Sequence, residues 1–338
     1  MATETVLDEP QPVPGEPKRR SIGHRFFKGV LWILVVAWLV FAGLRIFSDD
    51  ANWVVVAAMA YTPYVMFGGL VLAVCAIPLR AGVAFTGALL SVMALVAVVV
   101  PRMIATDQPV VDGTQLTVMT VNLRVGAGDA DDVMSLVRQH DVDILSVQEL
   151  TEASVDALDA AGLTEYFPHQ EYVATTDDAS GTGVFSTVPV VSLAAVPGRF
   201  HMPTVWVHLP GGANVHFTAV HTAPPVGPSL TEQWRNDLAA LPSARRDGPI
   251  EIMAGDFNST LDHEALRDLI GTGYIDAADA TGDGMTGTWQ PMGALGTILP
   301  RVRLDRVLVD DRVAVRDVSV HHVAGTDHRA VVAVLQLP

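Results

Sequence analysis

Cysteine occurs once in the 338 residues, at Cys75 inside an apolar run, so neither a disulfide framework nor a cysteine-held metal cluster is available. Lysine is missing from everything after Lys28. Charged residues make up only 17% of the chain while half of it is hydrophobic. That balance excludes general disorder and points to a portion embedded in lipid. The charge that is present is unevenly spread. Residues 1–101 carry 7 basic and 6 acidic side chains, and residues 102–338 carry 14 basic and 31 acidic, a net near −17. A broad basic face for a polyanion is thereby excluded, and long-range electrostatics work against nucleic acid.

Three apolar runs, 29–47, 53–77 and 81–100, each approach or exceed the roughly 20 residues that cross a hydrocarbon core. They predict three transmembrane helices. A cleaved signal peptide fits poorly, because the first run is long and two more follow it. Pro63 and Gly68-Gly69 in the second run mark either a kink or close helix packing. Residues 1–28, rich in proline at first and then basic at Lys18, Arg19, Arg20, Arg25 and Lys28, read as a disordered cytoplasmic tail. With Ser48-Asp49-Asp50 after the first run and Arg80 in the next turn, the basic excess places the N-terminus inside. An odd number of spans then places everything after Pro101 on the outer face of the cell membrane. Residues 102–114 read as a linker that can extend roughly 40 Å at about 3.3 Å per residue, which keeps the following domain near the bilayer.

From residue 115 to 338 the pattern is that of a globular α/β domain. A strand over 116–121, a helix over 131–139 capped by Asp129 or Asp131, and a buried strand over 144–147 form a βαβ unit. Further strands are predicted at 183–185, 205–208, 215–220, 250–253, 304–309 and 330–335, with helices near 230–240 and 263–270.

Polar groups at the strand ends carry the chemistry. Asn122 and Glu149 end two parallel strands and so share one sheet edge, where ligands usually sit. Read singly, they are as well explained as a turn amide and a surface acid. Asp256 and Asn258, two apart in Ala254-Gly255-Asp256-Phe257-Asn258, are expected on one face by strand periodicity. The Asn258-Ser259-Thr260 glycosylation pattern reads as a chance match. Asp327 and His328 are adjacent and point oppositely, so another carboxylate must orient His328. Asp305, an acid among alternating apolar residues, is the candidate. His221 ends a strand and is the second histidine of interest. His321 and His322, side by side on a strand, read as structural. Carboxylates without cysteine suit a hard, oxygen-ligated ion such as Mg²⁺, and a histidine with a carboxylate orienter suits taking a proton from water. There is no His-Glu-x-x-His zinc helix, no Gly-x-Ser-x-Gly elbow and no Gly-x-x-x-x-Gly-Lys-Ser/Thr loop.

The ordered set Val121-Asn122, Gln148-Glu149, Ser180 to Ser186, His221-Thr222-Ala223-Pro224, Gly255-Asp256-Phe257-Asn258, Leu304-Asp305-Arg306-Val307 and Thr326-Asp327-His328-Arg329 resembles the endonuclease/exonuclease/phosphatase superfamily over residues 115–338. The resemblance implies a four-layer α/β sandwich of two central mixed β-sheets flanked by helices. It implies that Glu149 binds Mg²⁺ (or Mn²⁺), with Asn122 and Asp327 near the metal. Asp305 would orient His328, Asp256 would position or deprotonate the nucleophile, Asn258 would fix it or a phosphate oxygen, and His221 would bind the phosphoryl group. The division of roles between Asp256 and His328 stays open. His221 with Thr-Ala-Pro after it is similar to the deoxyribonuclease I and sphingomyelinase branches. Val220 stands where abasic-site endonucleases often carry tyrosine, and no second carboxylate supports the histidine near Gly181. Trp289 and the Ala294-Leu295-Gly296 loop either line the substrate cleft or, in the case of Trp289, pack in the core. The implied activity is a membrane-anchored phosphoesterase, with a lipid head group or other envelope phosphate favoured over nucleic acid. An extracytoplasmic nuclease using the same site and a non-catalytic scaffold are the alternatives.

Overall fold

A computed structural model describes residues 22–47, 50–209 and 214–338. The predicted tail up to residue 21, with Lys18, Arg19 and Arg20, and the outer-face pair Ser48-Asp49 lie outside the described residues. The chain begins with α1 (Ile22–Phe47), α2 (Trp53–Met59), α3 (Thr62–Ala76) and α4 (Gly82–Val99). Residues 22–28, expected in the tail, are instead the first turns of α1.

The second predicted span is not one straight helix. α2 and α3 meet at a bend of 74°. The break falls at Ala60-Tyr61, and Pro63 sits in the first turn of α3, where its missing N–H costs nothing. The glycines serve packing: a Cβ on Gly69 would lie 2.8 Å from Val92 Cγ2 and 3.1 Å from Trp38 Cδ1. Two helices are thus long and apolar enough to cross a membrane, three if the bent pair counts as one span.

The globular part runs β1 (Gln115–Asn122), α5 (Ala130–Gln139), β2 (Ile144–Gln148), α6 (Glu152–Ala160), α7 (Leu163–Tyr166), β3 (His169–Val173), β4 (Thr182–Ser186), β5 (Val190–Ser192), β6 (Thr204–His208), β7 (Asn214–His221), α8 (Pro228–Ala240), β8 (Ile250–Asp256), α9 (Glu264–Ile270), β9 (Tyr274–Asp276), α10 (Ala277–Thr281), β10 (Asp305–Asp310), β11 (Ala314–His322) and β12 (Arg329–Gln336). Asp129 is the cap of α5, accepting from Asp132 N. The strands form two six-stranded mixed sheets, ordered β11-β12-β1-β2-β4-β3 and β5-β6-β7-β8-β10-β9. The residues that alternate inward from both sheets, such as Val118, Ile144, Phe217, Ile252 and Val331, meet in a shared apolar core. α5 and α6 cover the outer face of the first sheet, and α8 and α9 that of the second. The result is the four-layer sandwich.

Each sheet contains one parallel pair, β1 with β2 and β7 with β8. Their C-terminal ends share an edge with the N-terminal starts of the antiparallel neighbours β12 and β10. That arrangement gathers residues from six strands of two sheets at one rim. Beneath it, Thr120 Oγ1 donates to Gln148 Oε1 (3.0 Å), Gln148 Nε2 to Ser146 Oγ (2.7 Å), and Ser146 Oγ to Ala254 O in the other sheet (2.9 Å). A buried polar relay therefore ties the two sheets together.

The segment predicted as a free linker is bound to the domain. Arg102 donates to both oxygens of Asp262 at 2.8 and 2.7 Å, and Arg45 from the end of α1 reaches the same carboxylate at 2.6 Å. Thr106 N bonds Ala280 O, Val315 N bonds Gln108 Oε1, and Gly113 N bonds Leu337 O. α2 docks as well: Val56 packs into the core under α8 and α9, and its carbonyl lies 2.9 Å from His263 Nε2. Each of these partners lies far from the linker in sequence, so no local pattern signals them.

Candidate active site

His328 and Asp305 meet at the rim. Nδ1 of His328 lies 3.0 and 2.9 Å from the two oxygens of Asp305. A carboxylate only accepts, so Nδ1 carries the proton and Nε2 faces the site, 3.8 Å from Asp256 Oδ2. Asp305 is fully buried and is set in place by Thr288, whose hydroxyl accepts from the backbone N–H groups of Leu304 and Asp305. His328 N bonds Thr326 Oγ1, which itself donates to Asn122 O, so the turn before β12 is fastened to the end of β1.

Asn122 is the hub of the opposite side. Its Nδ2 donates to Glu149 Oε1 (3.0 Å) and to Asp256 Oδ2 (3.1 Å). Glu149 Oε2 accepts from Val125 N at 2.8 Å. Glu149 has a φ of 56°, a left-handed conformation that a non-glycine residue adopts at a cost and that turns its carboxylate toward Asn122. His221 is buried with Nε2 4.0 Å from Glu149 Oε1, and its ring stacks on Phe200 at 4.3 Å, an apolar support where a carboxylate was looked for.

Asp256 and Asn258 come together by a turn, not by the pleat. β8 ends at Asp256, Asn258 has a φ of 46°, and its N–H donates to Asp256 Oδ1 at 2.8 Å while its amide bonds Thr222 O. Ahead of it Gly255 is obligatory, since a Cβ there would sit 1.9 Å from Val220 O. Ser259 and Thr260 of the glycosylation pattern are buried.

Asp327 lies in the bend before β12 and lines the same polar pocket as His328. Its Oδ2 accepts from Trp289 Nε1 at 3.1 Å, and Arg124 Nε lies 4.0 Å from Oδ1. Trp289 is half-buried, bridged to His328 in a short β-pairing with ring centroids 6.4 Å apart. The Ala294-Leu295-Gly296 segment lies in a turn (Gly293–Thr297) beside a polar pocket of about 260 Å³. Arg301, His322 and Arg329 line that pocket next to Asp327 and His328. Thr326 and Arg329 belong to the Thr326-Asp327-His328-Arg329 motif without an assigned role, and Arg124, Arg301 and Thr288 carry no sequence signal.

The electrostatics divide the rim. For His328, burial opposes the charged form, but Asp305, Asp256 and the Asp305 hydrogen bond outweigh it and raise the pKa to about 9. Asp256 is pushed up to about 7, by burial first and then by Asp305, against the pull of His328. Burial and then His328 bring His221 down to about 3, so it is a neutral imidazole. A divalent cation in the site would add positive charge and lower the first two. Ligand atoms of Asp256, Asp305 and His328 lie within 4.8 Å of one another, a spacing a metal tolerates. Asp305 is fully buried with both oxygens turned to Nδ1 of His328, so this cluster is also an oriented histidine facing an acid. Glu149 accepts one donor on each oxygen and its side chain is 18% exposed, so it keeps further lone pairs and an open side.

The profile of the endonuclease/exonuclease/phosphatase family matches residues 119–328. No curated protein matches the chain. Among solved structures, an endonuclease/exonuclease/phosphatase from Beutenbergia cavernae is similar with 18% identity over 66% of this chain and 72% of that one, at a TM-score of 0.50. D. rerio TDP2, solved with a single strand DNA product, is similar with 17% identity over 66% of this chain and 99% of its own, also at 0.50.

Proposed function

From the premise that the chain belongs to the endonuclease/exonuclease/phosphatase family and is a metal-dependent phosphoric ester hydrolase, we propose that it is a membrane-anchored, outward-facing enzyme that uses Mg²⁺, with Mn²⁺ as a substitute, to hydrolyse the phosphate ester of a lipid head group or another envelope component. The observation that carries this reading is the His328–Asp305 pair facing Asp256 across 3.8 Å in a domain fastened to apolar helices through Asp262.

Glu149 would hold the ion, with Asn122 and Asp327 beside it. A bound divalent cation polarises the phosphoryl group and offsets its developing charge. Asp256, poised near neutrality and fixed by Asn258 N and Asn122, takes the proton from the attacking water. His328, held cationic by Asp305, meets the negative charge on the phosphoryl oxygens. Neutral His221 and the amide of Asn258 donate to the same oxygens and fix the phosphorus for in-line attack.

The test uses the full chain in lipid nanodiscs with Mg²⁺, and His328→Ala as the control, supplied in parallel with vesicles of host phospholipid and with plasmid DNA. Release of a head group or phosphate by the wild type alone supports the proposal. Plasmid cleavage with lipid left intact makes the protein a tethered nuclease, and a His328→Ala variant that restores a deletion phenotype in full makes it a scaffold.

A further inference from the structure

Beside the polar rim lies an apolar cleft of about 210 Å³. One wall is α2 and the residue after it, with Ala57, Ala60 and Tyr61. The other is the Pro224-Pro225-Val226 loop that follows His221. At the inner end stand Asn258 and Trp289. Both inner residues belong to the site: Asn258 bonds Asp256, and Trp289 bonds Asp327 and pairs with His328. At the outer end Val226 is 65% exposed and Ala57 is exposed, so the cleft opens outward.

The helical bend places this opening. α2 lies 74° from α3, a bend that fits a broken span or a re-entrant pair, so where α3 runs along the bilayer normal α2 lies nearly in the plane of its surface. Every residue of α2 is apolar, which is the composition of an element resting among acyl chains and out of place in water. The cleft is therefore continuous at one end with the apolar helices and at the other with the phosphoester-cleaving rim. The domain carries 31 acidic against 14 basic residues, and its arginines at the rim, Arg301 and Arg329, line the polar pocket beside Asp327 and His328 and are absent from this cleft's lining.

We propose that this cleft holds a hydrocarbon chain of the substrate, which is a phosphate ester of a lipid drawn from the bilayer with its chain between Tyr61 and Val226 and its phosphate beside Asn258. The proposal rests on the hydrolase reading above and narrows its substrate to esters that carry a long chain close to the phosphorus. A hydrophilic phosphate ester would leave the cleft walls in contact with water, and a duplex would have to lie against an apolar helix.

The test compares two chromogenic diesters with the same scissile bond, p-nitrophenyl hexadecyl phosphate and p-nitrophenyl methyl phosphate, hydrolysed by the full chain in nanodiscs with Mg²⁺. Ala57→Trp fills the cleft and Val226→Asp puts a charge at its mouth. Each is expected to lower the hexadecyl-to-methyl ratio of kcat/KM at least tenfold relative to wild type. Because Ala57→Trp could also disturb docking of α2, Val226→Asp on an exposed loop is the decisive variant, and retention of the wild-type Tm qualifies either. A ratio unchanged within twofold in a folded Val226→Asp overturns the proposal. A second readout needs no turnover: a phosphatidylglycerol with a diazirine on its acyl chain is photolysed in the nanodisc, and the labelled peptides are read by mass spectrometry. Label at residues 57–61 or 224–226 that is lost in Ala57→Trp supports the cleft, and label confined to the outer faces of α1, α3 and α4 overturns it. If the wild type cleaves neither these diesters nor the hexadecyl and methyl phosphate monoesters, or if His328→Ala cleaves as well as wild type, the reading of this rim as the hydrolytic site fails instead, and the labelling result still decides the cleft.

Discussion

Asp305 holds His328 through both carboxylate oxygens, 3.0 and 2.9 Å from Nδ1. The pair fixes tautomer and direction at once, since Nε2 then faces Asp256 and the substrate. Asp305→Asn keeps the shape and removes the charge, so His328 loses the partner that keeps it cationic. We expect kcat to fall about 10²–10⁴-fold with KM little changed, as for removal of a general acid–base partner. Steady-state kinetics on p-nitrophenyl methyl phosphate check this, and a loss below threefold would remove Asp305 from the mechanism.

Glu149 is the expected cation ligand. Glu149→Gln keeps its hydrogen bond from Asn122 and loses a negative donor. The Mg²⁺ concentration for half-maximal activity is expected to rise at least about tenfold, in the range seen when metal-site groups are altered. Chelation is expected to abolish activity in the wild type, and added Mg²⁺ or Mn²⁺ to restore it. A titration unmoved by the substitution places the ion elsewhere.

The docking of helices on the domain is expected to weaken on the acid side. Burial alone raises the pKa of Asp262, but the hydrogen bonds and charges of Arg102 and Arg45 outweigh it and hold it below its usual range. A depressed folded pKa contributes stability that is fully present above the unfolded value of about 3.9 and disappears as pH falls through the folded one. Thermal unfolding in detergent is expected to show a steep decline in Tm below about pH 4 that Asp262→Asn lacks. At neutral pH that variant leaves two buried arginines uncompensated and is expected to cost about 3–5 kcal/mol. Equal acid limbs in both proteins contradict the assignment.

Ser146 crosses from one sheet to the other. Ser146→Ala strands the carbonyl of Ala254 and the amide of Gln148, and is expected to cost about 1–3 kcal/mol. Urea unfolding measures it. Activity at saturating Mg²⁺ should fall little, because no relay atom touches the rim.

Strand after strand was legible where one rule sufficed. β1, β2, β7, β8 and β12 are apolar runs ending in polar residues, and the pattern located each within three residues. β3 and β5 are half-exposed edge strands, and β3 opens with His169-Gln170-Glu171, so it carries no apolar signal. β11 alternates less cleanly because a bulge between Val315 and Asp317 shifts its register. At the rim, Asn122, Glu149, Asp256, Asp305 and His328 stood out as polar groups where strands stop. Thr288 and Arg301 did not, because a threonine that accepts from two backbone amides looks like any loop threonine until the loop is folded. The convergence of Arg45 and Arg102 on Asp262 spans more than 200 residues of sequence, and no local pattern encodes it.

Arg45 at the end of α1 and Arg102 after α4 close on one aspartate, Asp262, and this makes the apolar helices and the hydrolase domain a single body. A rim so held cannot swing out to sample the aqueous volume. On the proposed membrane-anchored reading, the quantity that sets the rate is the number of substrate molecules per unit area of membrane, so diluting the target among inert lipids is expected to slow it even when the total amount in the tube is unchanged.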